Sequence, residues 1–514
     1  MNKLLFILMA AIAIIAMTGC DFDANEALKG NFWARNMETE QFYRVDAEKL
    51  AENSRCVVWA EKGSGVTAAT AGDIASEYSN NVYVKMINTF GYTVNDPDLG
   101  KVNTMEIAHY LATEKTSNAK LTILLLDIKD GYKEEGDPYV GGYFYAFDLL
   151  RNDPLYPQYK SNELDMIYLD TYPSVPGDAS SNGTLAHEMQ HLMNFVSSVI
   201  FRFDDETLSL TETWIDEGLS GAAEWVYSGK HPEIRWGYYN QDPSKLIKKG
   251  NNFYVWDNRG DESPWANLDD YATVYLLFQY LRLQSGNPSD IYFDIHTSKF
   301  SNYNAVITAK NINGSHKDDW PLLLRDWHSA NYTNAATGLY GYKDDPTLKN
   351  IKAPMVPGGT TVLNLFPGEG VYSRTASAES VPAAKGNVRY AGLSSTGEAP
   401  NNTAGFANGA RLTYNVDTYT KGSAVEGSTT GIAPPAPPPS ANISISAGRN
   451  AGIGSQEFPW PFKVDAGYFL KNGNKGAPDE IRNALNGNNG RSINKNKNTF
   501  KADRSTVERV FINE

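Results

Sequence analysis

The stretch Leu185-Ala186-His187-Glu188-Met189-Gln190-His191-Leu192-Met193-Asn194-Phe195-Val196 governs how the rest of the chain is read. Leu185, Met189, Leu192 and Val196 recur at three and four residues, the period of a helix with one apolar face. Gly183-Thr184 marks where that helix is expected to begin. Side chains four apart on a helix stand one above the other, about 5–6 Å between Cβ atoms, so His187 and His191 can both reach one Zn2+ at about 2.0–2.1 Å. Glu188 sits one step round, where a carboxylate can serve as general base toward a water. The chain has 7 His in 514 residues. Chance therefore places an H-E-x-x-H match on the order of 0.005 times in such a chain, which disfavours accident. The competing account is a pair of histidines on a solvated or core helix face.

A catalytic zinc needs three protein ligands and one open position. The longer pattern H-E-x-x-H-x-x-G-x-x-H is excluded, because Asn194 and Ser197 occupy its glycine and third-histidine positions. An acidic ligand from a later helix is then expected. Trp214-Ile215-Asp216-Glu217-Gly218-Leu219-Ser220 supplies the best candidate, Glu217, followed by a glycine that lets helices approach closely. Asp216 is the next candidate, and Glu212 and Glu224 fall nearby. Glu224 lies two turns from Glu217 on the same face, where it either orients a ligand histidine or stays on the surface. A donor for the oxyanion of the reaction is also expected. Tyr271 is the candidate, with His231, Tyr238 and Tyr239 as competitors.

These elements together resemble the glutamate-liganded zinc peptidases, the gluzincins, and more closely the hyicolysin family of bacterial metallopeptidases. The resemblance extends upstream through Leu126-Asp127-Ile128-Lys129-Asp130-Gly131-Tyr132, Gly141-Gly142-Tyr143-Phe144 and Met166-Ile167-Tyr168-Leu169-Asp170-Thr171, and downstream to about Asn331-Tyr332. It covers roughly residues 40–335. The H-E-x-x-H and W-x-x-E-G elements are specific, whereas the upstream strings persuade only by their order. The resemblance implies a zincin-like α+β fold, Zn2+ as cofactor, ligands at His187, His191 and Glu217, and endopeptidase action on protein or peptide substrates. Metal-assisted hydrolysis with Glu188 as general base is the corresponding mechanism.

The rest of the chain sets the frame. Hydrophobic residues make up 41%, charged residues 21% and aromatics 12%, a globular composition. A formal charge of −14 offers no basic footprint for nucleic acid. Met1-Asn2-Lys3 and the apolar run Leu4 to Met17 read as an export signal, too short for a stable membrane span. Met17-Thr18-Gly19-Cys20 resembles a bacterial lipobox, which makes residues 1–19 a signal peptide and Cys20 a lipidated anchor to the cell envelope, periplasmic or surface-exposed. Cys56, in Cys56-Val57-Val58-Trp59-Ala60, reads as a buried strand residue.

Residues 20–180 alternate strand and helix patterns: 56–62, Leu121 to Asp127, Gly142 to Phe147 and Asp165 to Leu169 as strands, Ala68 to Phe90 as one helix. Gly141 to Tyr145 is either an edge strand able to pair with an extended peptide or an ordinary strand. Asp96-Pro97-Asp98-Leu99-Gly100 lacks the later ligands of a calcium loop and reads as a turn. Residues 181–345 form the helical, zinc-binding part, with further helices at Tyr271 to Leu283 and Trp320 to Trp327. Residues 346–514 shift to Gly, Pro, Ser, Thr and Asn, with β-like runs at Thr360 to Leu365 and Arg411 to Tyr414, a Pro-rich linker at 433–440 and a polar stretch at Asn483 to Asn498. His109, His296, His316 and His328 read as structural or exposed. A second function remains open: a non-catalytic surface lipoprotein, an adhesin or assembly factor on a peptidase scaffold. Its signature would be damaged ligands or a lost base, and His187, Glu188, His191 and Glu217 are all present.

Overall fold

Every residue of Leu121–Leu126 is buried, the mark of a strand covered on both faces, as in parallel sheets. The computed structural model describes residues 29–418 except 92, 97–99, 104, 106–107, 109–119, 136–138, 150–159, 205–206, 251–252, 255–265, 289 and 361–364, together with Ala27 and residues 507–508. The export segment, Cys20, His109, the 433–440 linker and Asn483 to Asn498 lie outside the described residues.

The strands are β1 (Asn31–Arg35), β2 (Phe42–Glu52), β3 (Cys56–Glu61), the paired β4 (Thr93–Asp96) and β5 (Gly100–Asn103), β6 (Leu121–Leu126), β7 (Gly142–Phe144) and β8 (Met166–Asp170). Six of them form one mixed sheet in the order β1-β2-β3-β6-β8-β7. Its centre, β3-β6-β8, is parallel. β7 closes one edge, antiparallel to β8 with Tyr143 opposite Tyr168, and those two rings stack with centroids 4.1 Å apart. Side-chain alternation divides the sheet between two apolar layers. Val58, Ile123, Leu125, Ile167 and Leu169 face the helices, while Leu124, Leu126, Met166 and Tyr168 pack with Phe32 and Val45 on the other side. Cys56 is fully buried in the helical layer, and burial pushes its thiol up to about 12.

The stretch expected as one helix over Ala68 to Phe90 is two, α1 (Ala68–Glu77) and α2 (Tyr83–Phe90), joined by a π turn at Tyr78–Val82. Its buried residues Ile74, Tyr78, Val82 and Met86 repeat every four, a spacing that drifts about 40° per step around a 3.6-residue helix. A wider turn takes up that drift and keeps all four on the core side.

Helix α3 (Ala179–Phe201) crosses the helical face of the sheet and carries the histidines. It begins earlier than Gly183-Thr184: Asp178 is its N-cap, accepting from the Ser181 N–H at 2.7 Å. The early start lays the first turns of α3 against β7. A Cβ on Gly142 would lie 2.7 Å from Thr184 Cγ2, so only glycine lets strand and helix approach this closely. α4 (Thr213–Ser228), α5 (Glu233–Gln241), α6 (Ala266–Gln284), α7 (Ile291–His296) and α8 (Trp320–Thr333) follow, with a two-residue hairpin, β9 (Phe203–Asp204) and β10 (Thr207–Leu208), between α3 and α4.

The C-terminal strands β11 (Met355–Val356), β12 (Gly370–Arg374), β13 (Val388–Leu393) and β14 (Ala410–Asn415) form a second sheet, ordered β11-β12-β14-β13. Arg411 to Tyr414 lies in β14, whereas 361–364 falls outside the described residues. This sheet is not a detached module. Tyr372, Leu393, Leu412 and Tyr414 belong to the same apolar core as Trp327, Leu323 and the helices. His328 lies at the junction, its Nε2 3.1 Å from Gly368 O and its Nδ1 3.1 Å from Tyr372 Oη. His296 and His316 are buried like His328, so none of the three is exposed.

Candidate metal centre

His187 and His191 stand one turn apart on α3 with ring centroids 4.8 Å apart, and both are buried. α4 packs alongside and directs Glu217 at them: its Oε2 lies 3.3 Å from His187 Nε2 and 3.6 Å from His191 Nε2. Close packing of α4 depends on Gly218, whose Cβ, if present, would lie 2.1 Å from the Phe278 ring on α6. Glu188 is wholly buried next to the pair, its carboxylate within 4.8 Å of the ligand atoms of His187 and His191.

The outer nitrogens of both imidazoles are held. His187 Nδ1 is 2.9 Å from Glu224 Oε1, and that same oxygen accepts from Arg235 Nη2 at 2.6 Å. His191 Nδ1 is 3.0 Å from Asp216 Oδ1 and 3.0 Å from Ser220 Oγ. Such acceptors fix the tautomer with the proton on Nδ1 and leave the Nε2 lone pair directed inward. Among the described residues, neither Nε2 nor either Glu188 oxygen makes a hydrogen bond of standard geometry. Burying so many polar atoms unsatisfied is costly, of order 1–3 kcal/mol each.

A cation held between these atoms would offset that cost. Tetrahedral ligands at about 2.0–2.1 Å from a zinc ion lie about 3.3–3.4 Å from one another, close to the 3.3 and 3.6 Å separating Glu217 Oε2 from the two nitrogens. The donor set fits zinc: two imidazoles, one carboxylate, and carboxylate or hydroxyl support behind each histidine. The local electrostatics agree. Burial alone would raise the Glu217 carboxyl, but the His191 and His187 imidazoles outweigh it and hold it at about 2. Burial also opposes a charge on Glu224, and Arg235 with His187 reverses that and lowers it. Glu188 is pushed up by burial, and the two imidazoles only partly offset this.

The remaining candidates separate cleanly. The Tyr271 hydroxyl is in hydrogen-bonding contact with Glu217, and the Arg235 guanidinium lies 5.0 Å from the centre of its ring. His231 instead sits between Tyr275 Oη at 2.7 Å and Asp345 Oδ2 at 3.1 Å. Tyr238 faces Asp269 and Tyr239 faces Tyr372. Asp216 backs His191 instead of joining the inner set, and Glu212 accepts from Trp214 Nε1 at 2.9 Å at the start of α4. Sequence reasoning missed Arg235 and the role of Ser220. Ser220 was open to discovery, four residues after Asp216 on the same helix face. Arg235 carries no local signal, because its contact arises only when α5 folds back on α4.

No family model matches the chain. Over 361 residues it is 28% identical to the neutral metalloprotease ShpI of Staphylococcus hyicus, an alignment covering 69% of this chain and 74% of that protein. Taken with the buried His187, Glu188 and His191 cluster, this similarity supports a metallopeptidase with a metal-binding site and a zincin-like mixed α+β fold.

Proposed function

We propose that this chain is a zinc-dependent endopeptidase, with His187, His191 and Glu217 as ligands and Glu188 as general base. One observation carries the reading: two imidazole nitrogens, which make no hydrogen bond of standard geometry among the described residues, face a single carboxylate oxygen at 3.3 and 3.6 Å in a buried site. Bound there, zinc would supply Lewis acidity toward the scissile carbonyl.

The chain's own side chains do the remaining work. Glu188, raised by burial, takes the proton of the attacking water and delivers it to the leaving amine. Tyr271, beside Glu217, donates a hydrogen bond to the developing oxyanion. Glu224 and Asp216 hold the imidazoles in line. The free side of β7, at the sheet edge, offers main-chain pairing to an extended substrate.

Attachment of the enzyme to the cell envelope through lipid on Cys20 belongs to the same proposal. It rests on the apolar run Leu4 to Met17 followed by Thr18-Gly19-Cys20. Among the described residues no helix is long and apolar enough to cross a membrane.

The test is metal content measured beside hydrolysis of an unfolded protein such as casein. Wild type is expected to hold one zinc per chain and to lose activity with a chelator. Glu188→Ala should keep zinc and fold while losing about 10²- to 10⁴-fold in rate. Full activity in Glu188→Ala, or a pure protein that is active without metal, would overturn the mechanism.

A further inference from the structure

Asn194 stands three residues after His191 on α3, one turn on and on the same face, and it is buried. Its amide joins two groups of opposite hydrogen-bonding character. Arg202, the buried residue that caps the end of α3, has only donors to offer, and the Asp216 carboxylate only acceptors. Arg202 Nη2 donates to Thr211 Oγ1 at 2.5 Å, so the Thr211 hydroxyl must turn its own hydrogen elsewhere, and it donates to Asn194 Oδ1 at 3.2 Å. Arg202 Nη2 also donates to Asn194 Oδ1, at 3.4 Å. That leaves Nδ2 on the opposite side, where it donates to Asp216 Oδ1 at 2.6 Å. The same carboxylate oxygen lies 3.0 Å from His191 Nδ1. Every orientation in this chain is forced by the residue behind it.

We infer that Asn194 is a positioning residue of the metal centre: it holds the Asp216 carboxylate on His191 Nδ1 and thereby fixes the direction of the His191 Nε2 lone pair. The inference rests on the peptidase reading and deepens it. The two histidines are backed differently. Glu224, behind His187, has a side chain only 5% exposed and a guanidinium bonded directly to it. Asp216, behind His191, is 15% exposed, so water competes for its oxygens and the carboxylate needs a fixed donor to keep it in place. Asn194 supplies that donor and cannot turn over. A reversed amide would set its NH2 against the hydroxyl and guanidinium and its carbonyl oxygen against the carboxylate, losing the bonds on both sides. Arg202 is itself tied down, donating to the carbonyls of Ser209 at 3.2 Å and Ser298 at 3.0 Å. Leucine, of similar size, has neither donor nor acceptor, and aspartate would place two carboxylates face to face. Ser220 Oγ remains as a second partner of His191 Nδ1, so loss of Asn194 weakens the site without abolishing it.

The experiment is a double-mutant cycle read as zinc affinity, by competition with a chromogenic chelator, on full-length wild type, Asn194→Leu, Asp216→Ala and the double variant. Asn194→Leu should weaken zinc binding about tenfold. Because it acts through Asp216, the same substitution in the Asp216→Ala background should change the affinity by less than about twofold. A residue that merely ties α3 to the segment before α4 would instead cost the same factor in both backgrounds. Asn194→Asp, close to the native shape, decides the matter if the leucine variant does not fold: its loss too should appear beside Asp216 and disappear beside Ala at that position. Equal losses in the two backgrounds, or no loss from either single variant, would overturn the inference and leave the peptidase reading intact. A wild-type protein that binds no zinc would overturn both.

Discussion

His187 and Arg235 are joined through one oxygen atom. Glu224 Oε1 lies 2.9 Å from His187 Nδ1 and 2.6 Å from Arg235 Nη2, and all three side chains are buried. Removing the guanidinium would leave Glu224 as a buried carboxylate without its main counter-charge, so it would take up a proton or turn away, and His187 would lose its fixed tautomer. Arg235→Met is therefore expected to weaken zinc binding about 10- to 100-fold, read by competition with a chromogenic chelator. Arg235→Lys should recover part of that loss, because an ammonium restores the charge but not the guanidinium's fork of donors. A Met variant that binds zinc as tightly as wild type would assign Arg235 to packing alone. The histidines and Glu188 were legible from sequence because their relation is local, set by the helical repeat. Arg235 was not, since its contact with Glu224 joins two helices whose angle depends on the turn between them.

At the scale of elements, the precision of the centre depends on how closely α4 can sit. Gly218 faces the Phe278 ring with no room for a methyl: a Cβ would fall 2.1 Å from Cε2. Gly218→Ala must push α4 and α6 apart or twist the ring, an overpacking cost of about 1–3 kcal/mol. Glu217 is the preceding residue on the displaced helix, so zinc affinity should fall along with stability. A urea melt and a zinc titration on the same sample check both, and an unchanged pair of values would show that Phe278 yields freely. The W-x-x-E-G string made this glycine readable as a point of close approach. Other elements were less readable. The cap of α3 is local, Asp178 with Ser181 three residues on, but Gly183-Thr184 lies nearer the apolar repeat and imitates a helix start. The π turn at Tyr78–Val82 was hidden because its buried residues keep a four-residue spacing that also suits a plain helix.

For the molecule as a whole, the C-terminal sheet shares one apolar core with the helices that precede it. Its strands are short, their partners are remote in sequence, and nothing in composition shows that Tyr372 and Leu412 complete the core around Trp327. His328 reports on that junction. Burial pushes its imidazole down to about 4, against a weaker upward effect of the Gly368 carbonyl, whereas an unfolded histidine titrates near 6.5. Between those values the unfolded chain binds the extra proton, so stability from this residue is intact above about pH 6.5 and is lost as pH falls toward 4. His296, lowered to about 3, acts in the same direction, while Asp148 and Asp170, raised to about 7, act oppositely, so the total slope does not isolate one group. The difference between wild type and His328→Gln does. Urea unfolding at pH 7.0, 5.5 and 4.5 is expected to show a stability gap that narrows by about 1.4 kcal/mol per pH unit within the window. A gap independent of pH would mean that His328 is not held neutral against the sheet, and that the junction between α8 and β12 is looser than these contacts describe.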